Sequence, residues 1–396
     1  MMASASEMAI LGARNTVPGW SALATEMFEC KVITGGLTNM LNLVRVKDEA
    51  HKDAVAGAAA ETAATVETAE QAAAADGEEA ASTMALVRIF GEGTDEFIDR
   101  AAEQAVCTAV ARAGIAPHVF GTFPGGRAEQ FLVRAKSLIN HDLHNEQILV
   151  EVAQLMAKMH TLSLPKEAAH TPLSEPMTPQ ILRRLYSSAV ETRFDVGEEP
   201  FKALKLAALR VDTLATEIDR IEDELKSSGM GIVLCHRDLQ SGNVMIDRDE
   251  AGALKRAYLI DFEYSGKDFC GFDFGNTFNE MSINNFSSRY PGFCLDVDMY
   301  PTRDQQHFFF DHYLRHIPDP KTLFAPDCVP TSRDAMIDKL CEFAYLGSLA
   351  SHMQWTLWGI AQADSSSIDF GHLEYATARF DQYRALRAQH DDSSAP

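Results

Sequence analysis

The period of the apolar positions changes along this chain, and each change predicts an element. Lys31 to Val46 reads as two strands joined at Gly35-Gly36, and Met84 to Phe90 as a third. From Asp95 to Ala113 the spacing turns helical, with Val106 and Val110 on the apolar face, Glu103 opposite it or at its edge, and Gly114 as the stop. Gly121 to Arg127 is rich in turn residues, and Glu129-Gln-Phe131 reads as a further strand. Ile148, Val152, Leu155, Met156 and Met159 then mark a helix, a loop follows from Pro165 to Pro179, and helices are expected near Gln180 to Glu191 and Pro200 to Lys226. Val244 to Asp247 and Ala257 to Ile260 form two apolar strands around a polar turn, and Trp355 and Trp358 share one face of a late helix.

Two stretches lack a usable pattern. Residues 1 to 20 are small and polar, so a loosely ordered start is expected. Between Ala54 and Ala81 half the residues are Ala, the acidic ones are Glu61, Glu67, Glu70, Asp76, Glu78 and Glu79, and Val55 and Val66 are the only larger apolar side chains. Alanine favours helix, but a helix with no face to bury gains little from packing, so a flexible insertion over 48–83 is expected.

A chain of 396 residues can hold two cores. The division expected is a flexible start at 1–20, a small lobe at 21–133 carrying the insertion, a helical lobe at 134–385 and a flexible tail at 386–396. A net charge of −22 argues against a nucleic-acid partner, because affinity there comes from basic neutralisation of phosphates. No apolar run is long enough to span a bilayer, and Met1 to Trp20 lacks the basic start and apolar core of a secretory signal, so the chain reads as cytoplasmic and not a membrane protein. Cys30, Cys107, Cys235, Cys270, Cys294, Cys328 and Cys341 are scattered without a C-x-x-C, as reduced thiols would be.

Chemistry enters at His236-Arg-Asp238-Leu-Gln240-Ser-Gly-Asn243. This fits the kinase catalytic-loop pattern H-R-D-L-x-x-x-N, in which the Asp accepts the proton of an attacking hydroxyl and the Asn holds Mg²⁺. The hairpin that follows would return Asp261 beside Asn243 as the second metal ligand, and an amide oxygen with a carboxylate suits a hard cation. A protein kinase should continue with D-F-G and A-P-E, whereas this chain reads Ile260-Asp-Phe-Glu-Tyr264 and then Gly271-Phe-Asp273-Phe-Gly-Asn276-Thr-Phe-Asn-Glu280. In these motifs the sequence resembles the choline/ethanolamine kinase family. The resemblance runs from Gly35-Gly-Leu-Thr38-Asn39 to Tyr383.

The family resemblance implies an α+β, protein-kinase-like bilobal fold, with a small β-rich N-lobe and a larger helical C-lobe. It implies ATP and Mg²⁺ as cofactors. Thr38 and Asn39 would contact phosphate, although Gly35-Gly36 alone is also a plain hairpin turn. Arg88 would replace the lysine of protein kinases, paired with Glu103, for which a solvated helix surface is the alternative. Arg127, Glu129 and Phe131 would approach the nucleotide, the last two through backbone groups to adenine. Asp273 would brace the catalytic loop.

For the acceptor, the resemblance implies a box of Tyr264, Trp355, Trp358 and Tyr375 with Glu280 as counter-charge. Aromatic faces attract quaternary ammonium, although tryptophans at helical spacing are more often core. Asn285 and His372 stand where choline kinases usually carry tyrosines, while Asp238-Leu-Gln-Ser-Gly-Asn243 and Asp261-Phe-Glu-Tyr264 look more like the choline branch. The implied activity is phosphorylation of choline, the first step of phosphatidylcholine synthesis by the CDP-choline route. The alternatives are an ethanolamine or dual-specificity kinase and a catalytically silent ATP-binding scaffold. The sequence does not give the oligomeric state, and a homodimer is among the states left open.

Overall fold

The hairpin expected near the start is formed by β1 (Phe28–Ile33) and β2 (Asn39–Val46), antiparallel from Phe28↔Val46 to Ile33↔Leu41. The computed structural model describes residues 4–33, 39–47, 83–91, 100–163, 175–366 and 368–393. The Gly35-Gly36 turn, Thr38, the side chain of Asn39 and residues 48–82 of the expected insertion lie outside the described residues. The chain divides into two units, 1–135 and 136–396.

In the first unit β3 (Met84–Phe90), β4 (Val119–Phe123) and β5 (Gly126–Gln130) complete an antiparallel sheet in the order β1-β2-β3-β5-β4. Strand alternation places Val44, Val46, Ala85, Val87 and Ala128 in one buried cluster. That cluster is closed by α1 (Ala5–Thr16), which corrects the expectation of a loose N-terminus. Ser4 and Glu7 form a reciprocal capping box, and Ala9, Ala13, Val17 and Trp20 are buried. The helix packs closely at Gly12, where a side chain would collide with the ring of Phe123, and Met8 and Ile10 pack against the same cluster. Helix α2 (Arg100–Arg112) buries Glu103 on the same face as Val106 and Val110, and not opposite it.

The second unit is helical around short strands. It comprises β6 (Lys136–Ser137), α3 (Glu146–His160), α4 (Met177–Glu191), α5 (Pro200–Ala208), α6 (Leu214–Ser227) and β7 (Ile232–Cys235). There follow β8 (Val244–Arg248), β9 (Leu254–Leu259), β10 (Gly266–Phe269), α7 (Cys270–Met281), β11 (Ile283–Asn284), β12 (Cys294–Leu295), α8 (Arg303–Arg315), α9 (Arg333–Ser365) and α10 (His372–Ser393). Helix α4 begins before Pro179, which the first turn of a helix tolerates. The helix expected from Pro200 to Lys226 is two, divided at Arg210, whose φ of 48° is left-handed. The tail expected from 386 is instead the last turns of α10, anchored by Arg387, whose Nη1 donates to Glu224 Oε1 at 2.7 Å.

Helices α7 and α9 meet backbone to backbone. A Cβ on Gly347 would strike the carbonyl of Gly271, and one on Gly275 would strike the backbone of Gly347 and Ser348. This close approach brings Glu280 on α7 and the tryptophans of α9 into one neighbourhood. Among the described residues no helix is long and apolar enough to cross a membrane.

Candidate active site

Strand β7 delivers the chain into a loop whose shape is fixed from below. Asp273, in the first turn of α7, accepts the backbone N–H groups of His236 and Arg237, each at 2.7 Å, the bracing role expected for it. His160 Nε2 lies 3.1 Å from the same carboxylate, and the ring of His236 reaches the carbonyl of Ile260 at 3.0 Å. Arg237 adopts φ 68°; its buried guanidinium pairs with Asp268, bonds Thr178 and Gln354, and lies 4.2 Å from the ring centroid of Phe272. A left-handed residue paired this way costs backbone strain and persists because the surrounding bonds determine it.

On this frame Asn243 Nδ2 donates to the carbonyl of Asp238 at 2.8 Å and to its Oδ2 at 3.0 Å. The β8–β9 register pairs Val244 with Leu259, and Ile260 N–H donates to Asn243 O at 3.0 Å, so the hairpin returns Asp261 to the loop. Asp261 also has positive φ, 67°. Burial, and then the charges of Glu280, Asp261 and Glu263, push the Asp238 carboxyl well above its ordinary range. The donor set fits Mg²⁺: the Asn243 amide nitrogen is committed to Asp238, so its oxygen would be the ligand atom, and Asp261 would add a hard carboxylate.

Beside the loop lies an aromatic group. Tyr264 and Trp355 are 5.7 Å apart between ring centroids, Trp355 and Trp358 5.5 Å, and Trp358 and Tyr375 6.3 Å, all near perpendicular. Phe293 and Phe370 pack on Tyr375, and the ring of His372 is 5.7 Å from Trp358. Trp355 is tied into the core, its Nε1 donating to Asn276 Oδ1 at 3.0 Å, whereas Trp358 is half-buried.

Glu280 is brought to the same place, with a partner that the sequence reading missed. Arg379, buried on α10, donates to Glu280 Oε1 at 2.6 Å, to Tyr375 Oη at 3.2 Å and to Ser351 Oγ at 2.9 Å. Ser351 passes on to Asn276 at 2.8 Å, the residue that holds Trp355. One guanidinium therefore orients a carboxylate and, directly or through Ser351 and Asn276, two of the four aromatic walls. The available signal was spacing: Arg379 lies four residues after Tyr375, on one helix face.

In the first unit the expected nucleotide contacts are arranged differently. Glu103 meets Arg127 at 2.6 Å and Arg100 at 2.7 Å, where Arg88 was the expected partner. Arg127 also pairs with Glu129, and Arg88 Nε approaches Glu129 at 3.8 Å. Arg127 and Glu103 are 1% and 2% exposed, so these side chains form an internal ion cluster and do not reach for nucleotide. Register gives the reason: Arg127 pairs across the sheet with Arg88, and two adjacent guanidinium groups require carboxylates between them. Glu129 is itself paired on both sides, with Leu86 and Val119, and Phe131 lies beyond the strand end.

A small antiparallel-sheet unit followed by a helical unit that carries the braced His-Arg-Asp loop defines a protein-kinase-like fold. The chain belongs to the choline/ethanolamine kinase family: the model of that family, choline/ethanolamine kinase, matches residues 30–384. It is 31% identical over 391 residues to choline kinase alpha of Mus musculus, covering 95% of this chain and 79% of the relative. It is 28% identical over 366 residues to a probable ethanolamine kinase of Arabidopsis thaliana, covering 92% and 81%. The fold matches the crystal structure of choline kinase from Cryptosporidium parvum with a TM-score of 0.69 at 24% identity, covering 98% and 96% of the two chains.

Proposed function

We propose that this kinase transfers the γ-phosphoryl group of ATP to the hydroxyl of choline, giving phosphocholine and ADP, with ethanolamine as a second acceptor. Such a product would feed phosphatidylcholine synthesis by the CDP-choline route, in the cytoplasm, a location that the seven free thiols support. The observation that carries the reading is the aromatic box of Tyr264, Trp355, Trp358 and Tyr375 beside Glu280 and Asp238. Methylated ammonium asks for aromatic faces and a nearby carboxylate, and each face contributes roughly 0.5 to 2 kcal/mol.

Asp238 is the group that would take the proton of the acceptor hydroxyl. Burial and the neighbouring carboxylates raise its affinity for a proton, the direction a general base needs. Asn243 keeps it oriented through the 3.0 Å bond to Oδ2. Asn243 and Asp261 would hold Mg²⁺, which when bound neutralises phosphate charge. Arg88 and the backbone near Phe131 are the proposed nucleotide contacts in the first unit, with Thr38 and Asn39 kept from the motif.

A coupled ADP-release assay run side by side on choline and ethanolamine tests the reading. Turnover of choline at least equal to that of ethanolamine supports it. ADP release that neither alcohol stimulates would point to a silent scaffold and overturn it.

A further inference from the structure

Asn285 follows β11 and uses its amide nitrogen twice. Nδ2 donates to Glu280 Oε2 at 2.8 Å and to Gln240 Oε1 at 3.2 Å. A carboxylate only accepts, so chemistry fixes which end of the amide faces Glu280. Both amide hydrogens are then committed, and Oδ1 keeps its acceptor capacity on a half-buried side chain. The segment is seated on the catalytic loop, since a Cβ at Gly242 would lie 2.5 Å from the ring of the neighbouring Phe286.

Oxygens from Gln240, Asn285 and Glu280 thus gather around one amide, two residues after Ile283 of the cluster that holds Tyr264, Trp355, Trp358 and Tyr375. Aromatic faces attract any cation but offer an N–H donor no lone pair of the usual kind. An ammonium with N–H donors gives up water bonds on entry and needs oxygens to replace them. A quaternary ammonium has no such need. Resting on the reading of this site as an amino-alcohol site, we infer that Asn285 is a specificity-determining residue. With Glu280 and Gln240 it makes an acceptor edge that admits primary ammonium alcohols alongside the quaternary one.

The test measures kcat/KM by ADP release for ethanolamine, N-methylethanolamine, N,N-dimethylethanolamine and choline, a series in which the N–H donors fall one by one to none. Asn285→Leu, which removes Oδ1 from that edge, lowers the ethanolamine-to-choline ratio about tenfold, with intermediate losses for the intermediate alcohols. Asn285→Gln, which keeps the amide, holds the ratio within about threefold of wild type. Should the Leu variant fold poorly, Asn285→Ala carries the same expectation as Leu. An equal loss on all four alcohols, or no change in the ratio, would show that Asn285 only holds Glu280 in place and would overturn the inference. A wild-type protein that turns over none of the four sinks the amino-alcohol kinase reading itself, and the inference with it.

Discussion

Arg379 Nη1 lies 2.6 Å from Glu280 Oε1, with the two side chains 0% and 3% exposed. The carboxylate that should attract a cationic head group is therefore already half of a buried ion pair. Breaking such a pair by removing one partner leaves an uncompensated charge, which costs about 3–5 kcal/mol. Arg379→Met should lower the melting temperature sharply, and the double variant Arg379→Met with Glu280→Gln should recover much of that loss. Equal melting of the single and double variants would mean that the pair is not the source of the effect.

Glu280→Gln alone keeps the shape and removes the charge; its single amide oxygen can still accept from Arg379, while the bond from Asn285 is lost. Both choline and ethanolamine should lose kcat/KM, since both are cations, by about tenfold for each 1.4 kcal/mol of attraction removed. Comparison of KM for the alcohols with KM for ATP checks this. A rise confined to ATP would place Glu280 outside the acceptor site.

Asp238→Asn should reduce turnover by about 10² or more while Mg-ATP binding stays close to wild type, because in the proposed function the carboxylate handles a proton and does not hold the metal. Single-turnover rates and nucleotide titration separate the two quantities. Wild-type turnover in this variant would remove Asp238 from the mechanism.

The ion cluster in the sheet gives a pH prediction. Burial raises the carboxyls of Glu103 and Glu129, but Arg127, assisted by Arg100 at Glu103 and by Arg88 at Glu129, lowers both below their ordinary range. A folded-state value below the unfolded one contributes stability at pH above the unfolded value, and that stability is lost as pH falls through the folded one. In Arg127→Leu burial dominates and the sign reverses, so the variant regains stability relative to wild type as pH falls from 8 towards 5. Thermal melts across that range decide. Parallel curves for the two proteins would contradict the assignment.

How much of this was legible beforehand follows from what a linear pattern can encode. His236 to Asn243 and the hairpin that returns Asp261 are local in sequence, so spacing and turn chemistry predicted both. Helix α1 was missed because its most buried positions are Ala9, Gly12 and Ala13, whose smallness serves close packing, so that Met8 and Ile10 leave only a weak apolar period. The exchange of partners between Arg88 and Arg127 depends on cross-strand register, which no single strand carries. Arg379 belongs to the same class. Its role exists only where α7, α9 and α10 converge.

The two tryptophans of α9 separate recognition from scaffolding. Trp355 is 6% exposed and bonds Asn276, so Trp355→Ala removes a buried ring and leaves Asn276 short of a donor; a loss of about 3–5 kcal/mol of stability is expected, with any change in substrate affinity superimposed on it. Trp358 is half-buried, and its ring meets Trp355, His372 and Tyr375 edge-on or tilted. Losing one aromatic wall worth about 1.4 kcal/mol of ground-state binding corresponds to a tenfold rise in choline KM, with kcat and the KM for ATP little changed. Trp358→Ala should show that split while its melting temperature falls less than that of Trp355→Ala. An unchanged choline KM in a folded Trp358→Ala protein would make both tryptophans core residues, and the acceptor site would then have to lie elsewhere around Glu280.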